Sequence, residues 1–181
     1  MDSGSPGILI VFGGLPATGK TTIARELTIR LSATYLRIDT IEQALRAAGR
    51  NVGALGYVIA NELAADNLKL GRTTIVDCVN PVLASRQGWR ETALHASARI
   101  AEIELVCSDA ALHRQRAETR SPDIAGLRQP TWDEIATRRY EPWDREHLVL
   151  DTASSSLAQL VESVEAYVSR CCDARVGSGG H

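Results

Sequence analysis

The 181-residue chain carries 20 lysines and arginines against 22 aspartates and glutamates, a formal net charge of −2, with 44% hydrophobic residues. Such a length and apolar content fit one domain around one core, and the near-neutral balance excludes the broad basic surface by which proteins hold nucleic-acid phosphates. No apolar run reaches the roughly 18 residues of a membrane span, and no basic segment leads into a secretory core, so a soluble cytoplasmic protein without a membrane partner is expected.

The first predicted element is a strand over about 8–12, the run Ile8-Leu9-Ile10-Val11-Phe12. It leads into Gly14-Leu15-Pro16-Ala17-Thr18-Gly19-Lys20-Thr21, which fits G-x-x-x-x-G-K-[ST] between a strand and a helix. Glycines allow such a loop to wrap its amide groups around phosphate oxygens, and the following helix, predicted over 20–32, points its positive end at the anion. Lys20 is a mobile cation for the β/γ-phosphates, Thr21 a hydroxyl ligand for Mg²⁺, and Thr22 completes the expected ATP-binding run. Lys20 and Lys69 are the only lysines of the chain, and one of them stands where an ammonium fits the loop.

Further strands are expected at about 34–38, 73–78, 100–107 and 147–150, separated by helices at 41–48, 54–70, 83–97, 109–120, 132–141 and 156–171. This alternation reads as an α/β fold with a five-stranded parallel sheet covered on both faces, whose ligands collect at the carboxyl ends of the strands. The second strand ends at Asp39, placed either to accept the proton of a substrate hydroxyl or, with Thr40 and Glu42 or Gln43, to cap a helix beginning at Ile41. Thr73-Thr74-Ile75-Val76-Asp77 is an apolar strand ending in a carboxylate, which brings Asp77 beside Thr21 as a second Mg²⁺ residue.

Residues 49–70 and 80–90 are expected to form the pocket for a small acceptor molecule. Arg46, Tyr57, Asn80 and Arg86 are its candidate residues, whereas Trp89 reads as packing. Arg116 and Arg120 share a helix face at i, i+4, ahead of the turn-rich Ser121-Pro122-Asp123-Ile124-Ala125-Gly126. A small lid over about 114–131 would let these two arginines close on a transferring phosphoryl group. Thr131-Trp132-Asp133-Glu134 reads as a capping box, with Pro142 ending its helix, and Leu157, Leu160, Val161, Val164 and Val168 form the apolar stripe of the last one.

Cys78, Cys107, Cys171 and Cys172 lack CxxC spacing and read as reduced structural thiols. His95, His113, His147 and His181 are scattered and lack metal-ligand spacing. One domain over residues 1–176 is expected, followed by a tail of flexible composition over 177–181.

Residues 8–170 resemble the small P-loop kinases, the group of AAA-type small-molecule kinases that includes chloramphenicol phosphotransferase and gluconate kinase. Gly14–Thr21 is the specific part of the likeness. Ile38-Asp39-Thr40-Ile41-Glu42 resembles the segment carrying the general-base aspartate, and Arg116-Ala117-Glu118-Thr119-Arg120 resembles the lid arginines. The resemblance implies a P-loop NTPase three-layer sandwich with strand order 2-3-1-4-5, and a kinase that uses ATP and Mg²⁺ to phosphorylate a hydroxyl of a metabolite or antibiotic-like compound. Glu42 stands where nucleotide and polynucleotide kinases commonly carry an arginine for the acceptor's phosphate, which disfavours a phosphorylated acceptor, although Arg46 lies one turn further on. A nucleotide or polynucleotide 5′-kinase and a nucleotide-binding switch with slow ATP hydrolysis remain the alternatives.

Overall fold

The structure is a computed structural model that describes residues 7–173, so the expected tail over 177–181 lies outside the described residues. Its strands are β1 (Ile8–Gly13), β2 (Thr34–Arg37), β3 (Thr74–Asp77), β4 (Arg99–Val106) and β5 (Leu148–Asp151). Its helices are α1 (Lys20–Leu31), α2 (Ile38–Ala47), α3 (Leu55–Lys69), α4 (Leu83–His95), α5 (Ala110–Thr119), α6 (Trp132–Ala136) and α7 (Leu157–Asp173). The five strands form one parallel sheet in the order β2-β3-β1-β4-β5, as the resemblance implied.

Burial on both faces explains why β1 is apolar throughout rather than alternating. Ile8, Ile10 and Phe12 pack with Ile23, Ala24 and Leu27 of α1 and with the Leu160, Val161, Val164, Val168 stripe of α7. Leu9 and Val11 face the other way, against Ala60, Ala64 and Leu68 of α3 and Trp89 of α4. Helices on both sides leave the carboxyl ends of the strands as the open edge.

Two expected boundaries are corrected. The second helix begins at Ile38 rather than Ile41, because extended Arg37 is already its N-cap. Asp39 therefore lies in the first turn, where its charge suits the helix dipole, and neither it nor Thr40 is the cap. The helix expected over 132–141 stops at Ala136, although its Thr131–Glu134 capping box forms as expected.

The chain beyond that stop is held by Arg86, a fully buried side chain of α4. Its guanidinium donates to the carbonyls of Asn80 at 3.2 Å, Pro142 at 2.7 Å and Glu141 at 2.6 Å. It also stacks on the rings of Trp143, 4.4 Å away, and Tyr140 at 5.3 Å. Glu141 in turn accepts from the Leu83 amide at 2.7 Å, serving the first turn of α4 from another segment. The Glu141 amide donates to the Pro81 carbonyl at 2.8 Å and so makes no helical bond. One turn further along α4, Arg90 bonds Glu102 of β4 and makes a two-bonded pair with Asp144.

Replacing Arg86 with leucine strands these carbonyls in the core and should lower unfolding stability by about 2–4 kcal/mol in urea titrations. Arg86→Lys should recover little, since an ammonium cannot reproduce the planar fork. Recovery to near wild-type stability by lysine would show that charge, not geometry, matters at this position.

Candidate functional site

The loop between β1 and α1 is shaped by its glycines and by its neighbours. Gly14 has φ +132°, and a Cβ there would lie 2.2 Å from the Leu105 carbonyl oxygen, so only glycine fits. Gly19, at φ +94°, is the N-cap of α1. Thr18 donates to the Leu15 carbonyl at 2.9 Å, and His113 of α5 donates through Nε2 to the Pro16 carbonyl at 2.8 Å. His113 thus props the loop, a role that scattered histidines in a sequence do not announce.

Lys20 is buried, with its Nζ 2.6 Å from the Leu15 carbonyl and 3.4 Å from Thr18 Oγ1. Burial lowers its pKa to about 8, against the opposing pull of Asp77 and Asp39. Next to it, Thr21 donates to Asp77 Oδ2 at 2.7 Å, and the Tyr35 hydroxyl donates to the same oxygen at 2.8 Å. The register of the sheet sets Asp77 opposite Phe12 on one side and Arg37 on the other.

Arg37 is a site residue that the sequence reading passed over. Its guanidinium lies 3.7 Å from Asp77, 3.9 Å from Asp39 and 2.7 Å from Asp123. Asp123 also binds Arg25 of α1 at 2.7 Å, and its hydrogen bond with Arg37 leads the effects that hold its pKa near about 2. Asp123 belongs to the turn-rich segment after α5, so this pair fastens that segment over the loop. Gln43 adds a bond to the Ala125 carbonyl at 3.3 Å.

Two cavities open on either side of this cluster. One, of about 610 Å³, lies over α1 and is lined by Gly19, Thr22, Arg116, Thr152, Ser155 and Leu157 among others. Arg116 is fixed there by bonds to Thr152 Oγ1 at 2.9 Å and to the Thr152 carbonyl at 3.1 Å. The second, of about 370 Å³, is lined by Lys20, Asp39, Glu42, Arg46, Asp77 and the segment 126–130. Ala17, Thr21, Arg37, Arg120 and Gln129 line both. The Nε atoms of Arg37 and Arg120 are buried without a hydrogen-bond partner among the described residues, and desolvation lowers the pKa of Arg120.

The structure thus brings Lys20, Thr21, Asp39, Asp77, Arg116, Arg120 and Arg46 to the cavities, but not all the expected pocket residues. Tyr57, Asn80 and Arg86 are corrections. Asn80 is a fully buried turn residue whose amide donates to the Tyr57 hydroxyl at 3.1 Å, and Ser85 donates to its side-chain oxygen at 2.8 Å. Tyr57 packs on Trp89, and Arg86 is occupied by backbone carbonyls. Polarity in a variable segment suggested ligand contact, whereas most of these polar groups bond to each other or to backbone away from the cavities, with Asn80 Nδ2 left buried without a partner among the described residues.

The hard oxygen donors of Thr21 and Asp77, adjacent at the loop's end, fit Mg²⁺, which usually takes few protein ligands and completes its shell with water and phosphate. Among the described residues no group of three or more His, Cys, Asp or Glu side chains could hold a metal without such help.

No curated protein matches the chain. Solved structures share its fold. An APS kinase from Mycobacterium tuberculosis, in complex with AMPPNP and APS, superposes with a TM-score of 0.70 at 18% identity, covering 91% of this chain and 98% of its own. A protein from Chloroflexus aurantiacus j-10-fl taken to be a kinase gives 0.70 at 21% identity over 93% and 98%. A gluconokinase from Sinorhizobium meliloti 1021 gives 0.59 at 16% identity over 94% and 95%. At the level of sequence, the AAA domain family matches residues 9–142, which carry the loop, Asp39, Asp77, Arg116 and Arg120, and the chain belongs to that family.

Proposed function

We propose that this protein is a kinase that moves the γ-phosphoryl group of ATP to a hydroxyl of a small molecule. The observation that carries the reading is the pair of cavities meeting at Thr21, Arg37 and Arg120, with Asp39 on the wall of the smaller one. A nucleotide in the larger cavity then has its terminal phosphate at the junction, and an acceptor in the smaller one has its hydroxyl beside a carboxylate.

In this reading the loop amides and Lys20 hold the phosphates, while Thr21 and Asp77 hold Mg²⁺, which supplies charge neutralisation on the β/γ oxygens when bound. Asp39 is half exposed, accepts no hydrogen bond among the described residues and has Arg37 3.9 Å away, so its oxygens are free to accept. The acceptor oxygen bonds to the γ-phosphorus as the bond to the bridging oxygen breaks. The hydroxyl proton passes to Asp39, and ADP leaves. Arg120 and Arg116 offset the charge that spreads over the transferring oxygens, so catalysis is mainly positioning and electrostatics.

Asp39→Asn should lower acceptor-stimulated turnover by about 10²–10⁴-fold while nucleotide affinity changes little. The measurement is coupled ADP release against sugars, aminoglycosides, phenicols, nucleosides and oligonucleotides, with ATP binding read separately. Undiminished turnover in the variant would remove Asp39 as the base, and tight ATP binding with no stimulated turnover would favour a nucleotide switch.

A second expectation follows from Lys20. Phosphate beside its Nζ favours the ammonium form, so nucleotide binding raises a pKa that is about 8 in the free protein. At pH 7 the lysine is already charged and binding takes up almost no proton through it. Above pH 8 uptake should climb toward one proton per ATP, and affinity should fall as pH rises. Calorimetry at pH 7 and pH 9 in buffers of different ionisation heat reads this directly. Equal uptake at both values would place Lys20 away from the phosphates.

A further inference from the structure

We infer that the acceptor carries an anionic group, a phosphate, sulfate or carboxylate, at the end away from its reacting hydroxyl. This rests on the kinase reading and adds the chemical class of the substrate. The smaller cavity is lined by the cations Lys20, Arg37, Arg46, Arg120, Arg128 and Arg138, and by the anions Asp39, Glu42 and Asp77. Lys20, Arg37 and Arg120 sit at the phosphate-loop end, where the γ-phosphate of a nucleotide would engage them. Arg46, Arg128 and Arg138 remain, and they converge from three separate places: α2, the lid segment, and the stretch after α6.

The carboxylate that would oppose an anion there is already neutralised. Glu42, which on sequence grounds disfavours a phosphorylated acceptor, bonds Arg46 at 2.9 Å and leans on Gly56 of α3, where any Cβ would meet its Cγ at 2.6 Å. Pinned in this way, Glu42 orients Arg46 rather than repelling the ligand. Arg128 is held by two bonds to Glu134, at 2.6 and 3.1 Å, with Glu134 itself fixed by the capping box. Arg138 is exposed and forms no salt bridge among the described residues. The Arg46–Glu42 and Arg128–Glu134 pairs each cancel in charge, which leaves Arg138 as the uncompensated cation, with the remaining N–H groups of two oriented guanidiniums beside it to donate to the oxygens of a carboxylate or phosphate in a cavity of about 370 Å³. A neutral polyol would leave Arg138 without a partner and would use none of this charge.

The test compares glycerol, glycerate and glycerol 3-phosphate, which share hydroxyls and differ in charge. The protein is first saturated with Mg²⁺ and AMPPNP, so that the nucleotide site cannot take up the anion. Thermal shift and calorimetry then read binding to the wild type, to Arg138→Gln and to the double variant Arg46→Gln/Arg138→Gln. The two anions should bind about tenfold or more tighter than glycerol. Arg138→Gln should weaken them by about ten- to a hundredfold and leave AMPPNP affinity unchanged. Equal binding of glycerol and the anions, no binding of any anion up to tens of millimolar, or unchanged anion affinity in both variants would each overturn the proposal. ADP release with ATP in place of AMPPNP keeps the two readings apart. Anions that bind in an arginine-dependent way without being phosphorylated would support the anion site and count against the kinase, whereas turnover of neutral acceptors alone would do the reverse.

Discussion

A methyl group at position 14 would collide with the Leu105 carbonyl of the neighbouring strand, and the geometry of the site follows from this. β1 and β4 stay in register as far as Gly13 and Glu104, so the chain has no room to widen as it leaves the sheet. The Gly14 amide is held on the other side by the Val79 carbonyl at 3.0 Å. The chain turns outward at the carboxyl edge, runs as a loop past His113, and enters α1 at Gly19, with Lys20 drawn back beneath the loop. A substituted residue at Gly14 would separate the two central strands of the sheet, which is why the loop and the core cannot be treated as independent parts.

The same register arranges the charges. β3 lies between β1 and β2, so the carboxylate at its end, Asp77, faces Thr21 from one direction and Tyr35 and Arg37 from the other. Asp77 is almost fully buried and is tolerated there because two hydroxyls donate to it and two cations stand close. Lys20 shows the complementary effect. Its environment costs it part of its affinity for a proton, and a polyphosphate would restore it. The site is thus charged in a way that is only half compensated by protein groups, which is the condition under which a dense anion binds well.

The loop and the parallel sheet were legible in the sequence because each rests on a strong local signal: glycines at required backbone angles, and apolar strands alternating with amphipathic helices. The strand order came only from the family resemblance, since no local pattern reports which strands are neighbours. Asp77 was legible as a carboxylate ending an apolar strand, whereas Asp39, read as the end of β2, lies in the first turn of α2. Arg37 was not legible, since an arginine on a four-residue strand carries no pattern, and its importance comes largely from two carboxylates distant in sequence, Asp77 and Asp123. Asn80 and Arg86 misled in the opposite sense. Polar side chains between a strand and a helix look like ligand contacts, yet here a fully buried arginine satisfies carbonyls from a segment more than 50 residues away. No periodicity reports a side chain whose partners are backbone atoms of another element.

Those buried arginines bear on the site through the segment they hold. α5 ends at Arg120 after Arg116 has been tied to Thr152, and the chain becomes fixed again where Arg86 and Arg90 grip residues 141–144. Between these two anchors run the lid, short α6 and Arg138. On the cavity side, the lid is held by Asp123 to Arg25 and Arg37 and by Gln43 to Ala125. Charge pairs that are partly exposed are weak holds compared with a buried guanidinium carrying three carbonyl bonds. The fold therefore divides its cations by depth: those beneath the surface fix where the segment after α5 begins and ends, and those nearer the surface tie its middle to α1, β2 and α2. Arg37 belongs to both groups, since the guanidinium that holds Asp123 is the one lining the junction of the two cavities, so the packing of the segment after α5 and the charge at that junction rest on the same side chain.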